Sequence, residues 1–440
     1  MMKKTTLAAA LALLCLGTTV AQESDKYKKI DSLLTYLADN NKFMGAVTLT
    51  QNGKPVFEKA YGYADFENHK KADVHTKYKI GSISKMFTAT AIFKLIEDKK
   101  LSLDTRLSKF YPKVKNADKI TINNLLSHSS GIFNYTNTED FMGYAATPQS
   151  KADMVKRIEG FESDFEPGTK SDYSNSNFLL LGYIIEDITK KPYTEAVTKM
   201  VIRTAGLKET SFYDKVETDK DEAFSYMLAG TVAEKWDEWD QSVAYSAGGI
   251  QSTPADLDTF ITALFAGKII KPESVELMTT LQDEVGRGIF PIPFNKKRFW
   301  GHGGHIEGFS SMLGYNREEK LAVALVVNAE VMPMNDILIG ILNCYYELPY
   351  TFPDLKTVAV DAAILQGYTG TYACAGFPLK VTIMYEHGEF LAQATGQGAF
   401  PLDAISNTEF KFDAAQIKIT FKDNTFILDQ AGRKNEFTKE

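Results

Sequence analysis

Two hairpin signals at opposite ends of a long helical stretch restrict most what this chain can fold into. The extended runs Gly45–Gln51 and Pro55–Gly62 flank Asn52-Gly53, a dipeptide suited to the positive-φ residues of a tight β-turn. Phe309–Tyr315 and Leu321–Asn328 flank a charged turn, Arg317-Glu318-Glu319-Lys320. Residues 25–40 carry Ile30, Leu33, Leu34 and Leu37 at helical spacing. Residues 83–97 carry Ile83, Met86, Phe87, Ile92, Phe93 and Ile96. From about 100 to 290 the chain reads as helical segments broken by loops. Strands at both ends with helices between predict an antiparallel sheet flanked by helices, an α+β fold.

At 440 residues the chain is too long for one ordinary domain. Residues 22–346 are expected to form the main domain. Residues 347–363 hold Pro349 and Pro353 with little periodicity and read as a linker. From 364 to 440, alternating runs such as Lys380-Val381-Thr382-Ile383 and Lys418-Ile419-Thr420-Phe421 sit between Gly, Asn and Asp turns. They predict a small all-β accessory domain. Residues 1–21 have the parts of a signal peptide: Lys3 and Lys4, an apolar run from Leu7 to Leu16, and Thr19-Val20-Ala21. That run is short for a bilayer span. The expected protein is therefore exported, periplasmic or secreted, with no integral membrane segment after cleavage. Cys344 and Cys374 would remain, either paired or as separate thiols. A net charge of -7 without any Lys/Arg run leaves no electrostatic footprint for nucleic acid.

Three short motifs carry chemistry. In Gly81-Ser82-Ile83-Ser84-Lys85, a helix places Ser82 and Lys85 on one face. A hydroxyl becomes a nucleophile when a neighbour takes its proton, and a desolvated lysine can do so. The bland alternative is a capping serine followed by a surface lysine. Tyr-x-Asn occurs at Tyr135-Thr136-Asn137 and at Tyr173-Ser174-Asn175. The second follows the turn Glu166-Pro167-Gly168 and precedes a helical run, which suits a loop phenol in proton transfer. Tyr135 reads as a loop aromatic near the pocket. Gly301-His302-Gly303-Gly304-His305 lets backbone approach a ligand closely, with N–H groups free to face an oxyanion. His302 and His305 raise the question of zinc. A third clear ligand and an H-E-x-x-H helix are both missing, so neither metal nor cofactor is expected. No G-x-S-x-G, P-loop or dinucleotide fingerprint stands out. Trp236, Trp239 and Trp300 are candidates for either pocket or core.

In the order S-x-x-K, Y-x-N, H-x-G, the chain resembles the serine β-lactamase-like and penicillin-binding family, in its class C and DD-peptidase/esterase branch. The likeness extends through Lys79-Ile80-Gly81-Ser82, residues 122–131 (INNLLSHSSG), Pro167-Gly168, Leu181-Gly182-Tyr183, Ala247-Gly248-Gly249-Ile250 and Gly301–Phe309, over roughly residues 30–345. The resemblance implies a helix-flanked antiparallel sheet with an all-helical subdomain and acyl-enzyme chemistry. Ser82 would attack, Lys85 and Tyr173 would share the proton, and Asn175 would orient Lys85 and the substrate. His302 and Gly304 would also contact substrate. The backbone N–H groups of Ser82 and His305 would form the oxyanion hole. His302 stands where the family motif has Lys, and histidine loses much of its charge at neutral pH. That favours a peptide-like or ester substrate of the DD-carboxypeptidase, D-amino peptidase or esterase type, small and cell-wall derived among the choices. A true β-lactamase is the first alternative, and a penicillin-binding sensor or binding module the second.

Overall fold

The computed structural model describes residues 25–440 apart from 230, 231, 330, 387 and 431. The expected export segment, residues 1–21, lies outside the described residues. The chain divides into two compact units. The larger comprises Met44–Tyr226 and Lys235–Ala329; the smaller takes the described residues up to Phe43, Met227–Glu234 and those after 330.

The larger unit is built on six antiparallel strands: β1 (Gly45–Gln51), β2 (Lys54–Tyr61), β3 (Phe290–Phe294), β4 (Lys297–Ile306), β5 (Phe309–Asn316) and β6 (Leu321–Val327). Their order is β3-β4-β5-β6-β1-β2. Both expected hairpins are present. The first and last strands of the larger unit meet mid-sheet, where β1 pairs with β6 from Gly45↔Val327 to Gln51↔Leu321. A third hairpin, β3–β4, lies just beyond the stretch read as helical, where no element was expected. Pro291 and Pro293 obscured it, yet proline is tolerated on an edge strand, where one side needs no ladder hydrogen bonds.

Helix α1 (Ser84–Glu97) is buried on every side from Ser84 to Phe93, so it runs through the centre of the unit. Helices α2 (Asn175–Thr189) and α3 (Gln241–Gly248) pack on it, and α4 (Pro254–Phe265) packs on β1 and β6. Phe87 of α1 stacks on Phe260 of α4 with ring centroids 3.9 Å apart. A small antiparallel sheet of Tyr78–Lys79, Ile250–Ser252 and Ser211–Phe212 lies among the helical segments.

In the smaller unit, a helix over 25–39 meets Met334–Tyr345; Tyr27 and Tyr345 rings lie 6.4 Å apart. Beyond residue 369, nine short antiparallel strands follow one another as a meander, and the last pairs with the first (Tyr372↔Lys439). Ala399–Pro401 and Asp403–Ala404, broken only at Leu402, serve different neighbours as one bent strand and so close a barrel. Its interior is filled by Tyr372, Phe390, Phe410, Phe421, Phe426 and Phe437, which makes it a packed core. Cys344 is buried, Cys374 half-buried, and both are free thiols. No helix among the described residues is long and apolar enough to cross a membrane.

Candidate active site

The nucleophile segment is seated by close backbone contact. Gly81–Ile83 forms one tight turn that runs directly into α1. Gly81 has φ +48°, and a Cβ there would stand 2.8 Å from the backbone nitrogen of His305. Only glycine fits such a position cheaply. Gly304 performs the matching service on β4, since a Cβ would fall 2.1 Å from the Ile80 carbonyl oxygen. Ser311 donates to that same oxygen at 2.9 Å. The backbone of His305 therefore lies against the turn that carries Ser82.

Lys85 is fully buried on α1, and its Nζ has three partners. Ser82 Oγ is at 2.8 Å, Asn175 Oδ1 at 2.7 Å and the Ala247 carbonyl at 2.8 Å. Asn175 Oδ1 and the carbonyl can only accept. A neutral amine fills both with its two N–H bonds and leaves its lone pair for the Ser82 hydroxyl. Burial pushes the lysine well below its ordinary value, toward that neutral form. The orientation of the Asn175 amide is set from behind, because its Nδ2 donates to Thr136 Oγ1 at 3.1 Å.

Tyr173 donates its hydroxyl to Ser82 Oγ at 2.8 Å. The residue is 39% exposed, but its hydroxyl is enclosed, and this burial pushes the phenol up, with partial relief from the bond to Ser82. Burial thus favours the protonated phenol of Tyr173 and the neutral amine of Lys85. The tyrosine ring stacks on His128, 4.4 Å between centroids. His128 accepts from the Ser174 N–H through Nδ1 at 3.2 Å, which fixes the loop between Tyr173 and Asn175. Burial lowers His128 far below the usual histidine range, so it serves as a neutral platform.

His302 is buried on β4, its ring 6.2 Å from that of Tyr173 and 4.9 Å from that of Phe290. Its Nδ1 contacts the Gly303 carbonyl, which can only accept, so Nδ1 carries the proton. Burial is the main cause that lowers it, to about 3. His302 therefore brings no positive charge to the site at neutral pH.

Beside Ser82 opens a cavity of about 320 Å³ lined by Tyr135, Phe141, Met142, Trp239, Ile306 and His305, together with Asn175. Of the three tryptophans only Trp239 lines it. Trp300 is buried on β4, and Trp236 is 40% exposed. His302 and Gly304 are not among its lining residues. The wall is anchored from below. The Trp239 N–H donates to Glu307 at 2.8 Å, and Glu307 pairs with Lys79 at 2.8 Å, both side chains 1% exposed. Among the described residues no group of three or more His, Cys, Asp or Glu could hold a metal ion.

Ser82, Lys85, Tyr173 and Asn175 thus converge, and the structure adds His128, Thr136 and the Ala247 carbonyl. The stretch Ser127-His128-Ser129-Ser130-Gly131 was the only signal for His128. A backbone carbonyl leaves no mark in a sequence.

The Beta-lactamase family profile matches residues 30–340. The protein PbpX of Bacillus subtilis (strain 168), named as a penicillin-binding protein, is 29% identical over 325 residues, covering 72% of this chain and 79% of that protein. Protein flp of Staphylococcus aureus (strain N315) is 28% identical over 331 residues; the match covers 70% of this chain but only 65% of that protein. Among solved structures, D-amino acid amidase from Ochrobactrum anthropi SV3 superposes with a TM-score of 0.65 at 24% identity, covering 73% of this chain and 99% of that one. The octameric penicillin-binding protein homologue from Pyrococcus abyssi gives 0.66 at 24% identity, covering 93% and 99%. These two likenesses concern the fold.

Proposed function

Since the chain belongs to the beta-lactamase family and is a serine hydrolase of the acyl-enzyme type, we propose that Ser82 is its nucleophile and that it is exported to hydrolyse a peptide-like amide or an ester. The observation that carries the proposal is the three-partner environment of Lys85 Nζ, which aims a lone pair at the Ser82 hydroxyl. Export rests on the composition of residues 1–21.

Ser82 Oγ attacks the substrate carbonyl carbon as its proton passes to Lys85 Nζ. The carbonyl π electrons move to oxygen, and the backbone N–H groups of Ser82 and His305 receive that charge. Collapse breaks the bond to the leaving group, which takes a proton from Lys85 relayed through the Tyr173 hydroxyl. Water then attacks the acyl-serine and repeats the sequence in reverse. Lys85 is the base and Tyr173 the relay, because burial moves their proton affinities in opposite directions.

The names of the related proteins suggest which substrates to try. The protein is incubated with a fluorescent penicillin, short esters, D-amino acid amides and D-alanyl peptides, beside the Ser82→Ala variant. Turnover of an ester or amide that vanishes with Ser82→Ala supports the proposal. Fast turnover of the penicillin identifies a β-lactamase, and labelling without release identifies a sensor. Undiminished turnover by Ser82→Ala refutes the mechanism.

A further inference from the structure

Resting on Ser82 as nucleophile, we propose that the cavity beside it selects an uncharged, apolar group, so that the substrates are esters or amides bearing an aromatic or branched alkyl group and no carboxylate near the scissile bond. The walls supply the attraction. Phe141 and Trp239 meet edge to face with centroids 4.9 Å apart, and Tyr135 and Ile306 add apolar surface, beside uncharged Thr136 and Asn175. Met142 stands at the rim, 62% exposed, where a flexible thioether adapts to the shape of its guest. The volume of about 320 Å³ accommodates a benzyl-sized group.

The same walls supply the discrimination. None of the residues lining the cavity is Lys, Arg, Asp or Glu. His305, the titratable group there that carries a ring nitrogen, holds Ser310 Oγ with its Nδ1 at 2.9 Å. Neither neighbouring basic group can compensate a carboxylate. Lys85 commits its N–H bonds to Asn175 and Ala247, and buried His302 binds the Gly303 carbonyl. A carboxylate entering this space would lose its water and meet no lysine or arginine. The Trp239 wall cannot swing aside easily, since its backbone N–H is fixed to the buried Glu307–Lys79 pair.

The test compares p-nitrophenyl acetate, butyrate, hexanoate and phenylacetate with the mono-p-nitrophenyl ester of succinic acid, while a small alkyl fluorophosphonate titrates Ser82. The expected kcat/KM rises about fourfold per methylene, with phenylacetate among the best substrates and the succinate ester at least 100-fold below butyrate. Trp239→Ala should flatten the series, and Trp239→Phe should restore most of it. Met142→Lys, at an exposed rim position, should raise the succinate ester relative to butyrate by tenfold or more. A flat chain-length series, or a preference for the succinate ester by the wild-type protein, with Ser82 still labelled, overturns this specificity alone. Failure of the fluorophosphonate to label Ser82 overturns the nucleophile assignment and the specificity with it.

Discussion

Replacing Lys85 by Met should cripple the enzyme and change how its stability depends on pH. The amine is fully buried and burial alone holds its proton affinity well below the ordinary value of 10.5. Between those two values the unfolded chain binds a proton that the folded protein does not. Stability of the wild type therefore rises with pH through that window and falls as pH is lowered, by about 1.4 kcal/mol per pH unit. Lys85→Met removes the proton from both states, so the variant gains on the wild type by that amount for each unit between about pH 10 and the folded value. Against this stands a constant cost of about 1 kcal/mol each for the Asn175 and Ala247 oxygens that lose their donor. Loss of the base should lower kcat/KM by about 10²–10⁴, or roughly 3–5.5 kcal/mol of transition-state stabilisation. Urea unfolding at pH 7, 8, 9 and 10 provides the measurement. Trp236, Trp239 and Trp300 all belong to the larger unit, so their fluorescence reports that unit alone. Parallel stability curves for variant and wild type across that range would mean that the buried amine is charged, and the proposed base would have to be abandoned.

Asn175→Asp would set a carboxylate in place of an oxygen 2.7 Å from Nζ, favouring the charged amine; ester hydrolysis at pH 7 should drop tenfold or more and recover in part toward pH 9, and a profile that keeps its shape contradicts this. Glu307→Gln or Lys79→Met alone breaks a pair that is 1% exposed on both sides and should cost about 3–5 kcal/mol, whereas Lys79→Met with Glu307→Leu should recover most of it in urea titrations. Asp258 is fully buried on α4, and burial pushes its carboxyl well above the ordinary range, so its contribution is favourable at low pH and lost as pH rises. Asp258→Asn should accordingly match the wild type near pH 4 and exceed it by about 1–3 kcal/mol at pH 8; an equal or lower Tm at pH 8 would count against it.

The sheet was legible where local chemistry and burial agreed. Asn52-Gly53 makes its turn, and the seven buried residues of β6 form one continuous apolar run. The β3–β4 hairpin was not legible, because its proline pair is compatible with a strand only once β3 is known to be an edge. In the site, Ser82 and Lys85 are three positions apart and could be paired from helical geometry. What makes Lys85 a base comes from far along the chain, through Asn175 and a carbonyl at 247, and periodicity does not reach that far. Gly304 was expected to touch substrate; a further role, in which its missing Cβ makes room for the nucleophile turn, could not be read from the sequence. His128 illustrates the same limit, since a ring that props up a catalytic loop looks in sequence like any other histidine.

The pairing of β1 with β6 also governs when activity can begin. Everything that carries the site lies between two strands that must find each other across almost the whole larger unit. Closing a loop of that size costs about 5 kcal/mol of chain entropy before any ladder bond repays it. Contacts so distant in sequence form slowly. The turn bearing Ser82 rests on β4, a member of the same sheet, so it meets the backbone of His305 only after the sheet has zipped. A chain still being made carries the serine, the lysine and the tyrosine as separate, inert side chains. The order of assembly thus keeps an indiscriminate acyl acceptor silent until the fold that disciplines it is complete.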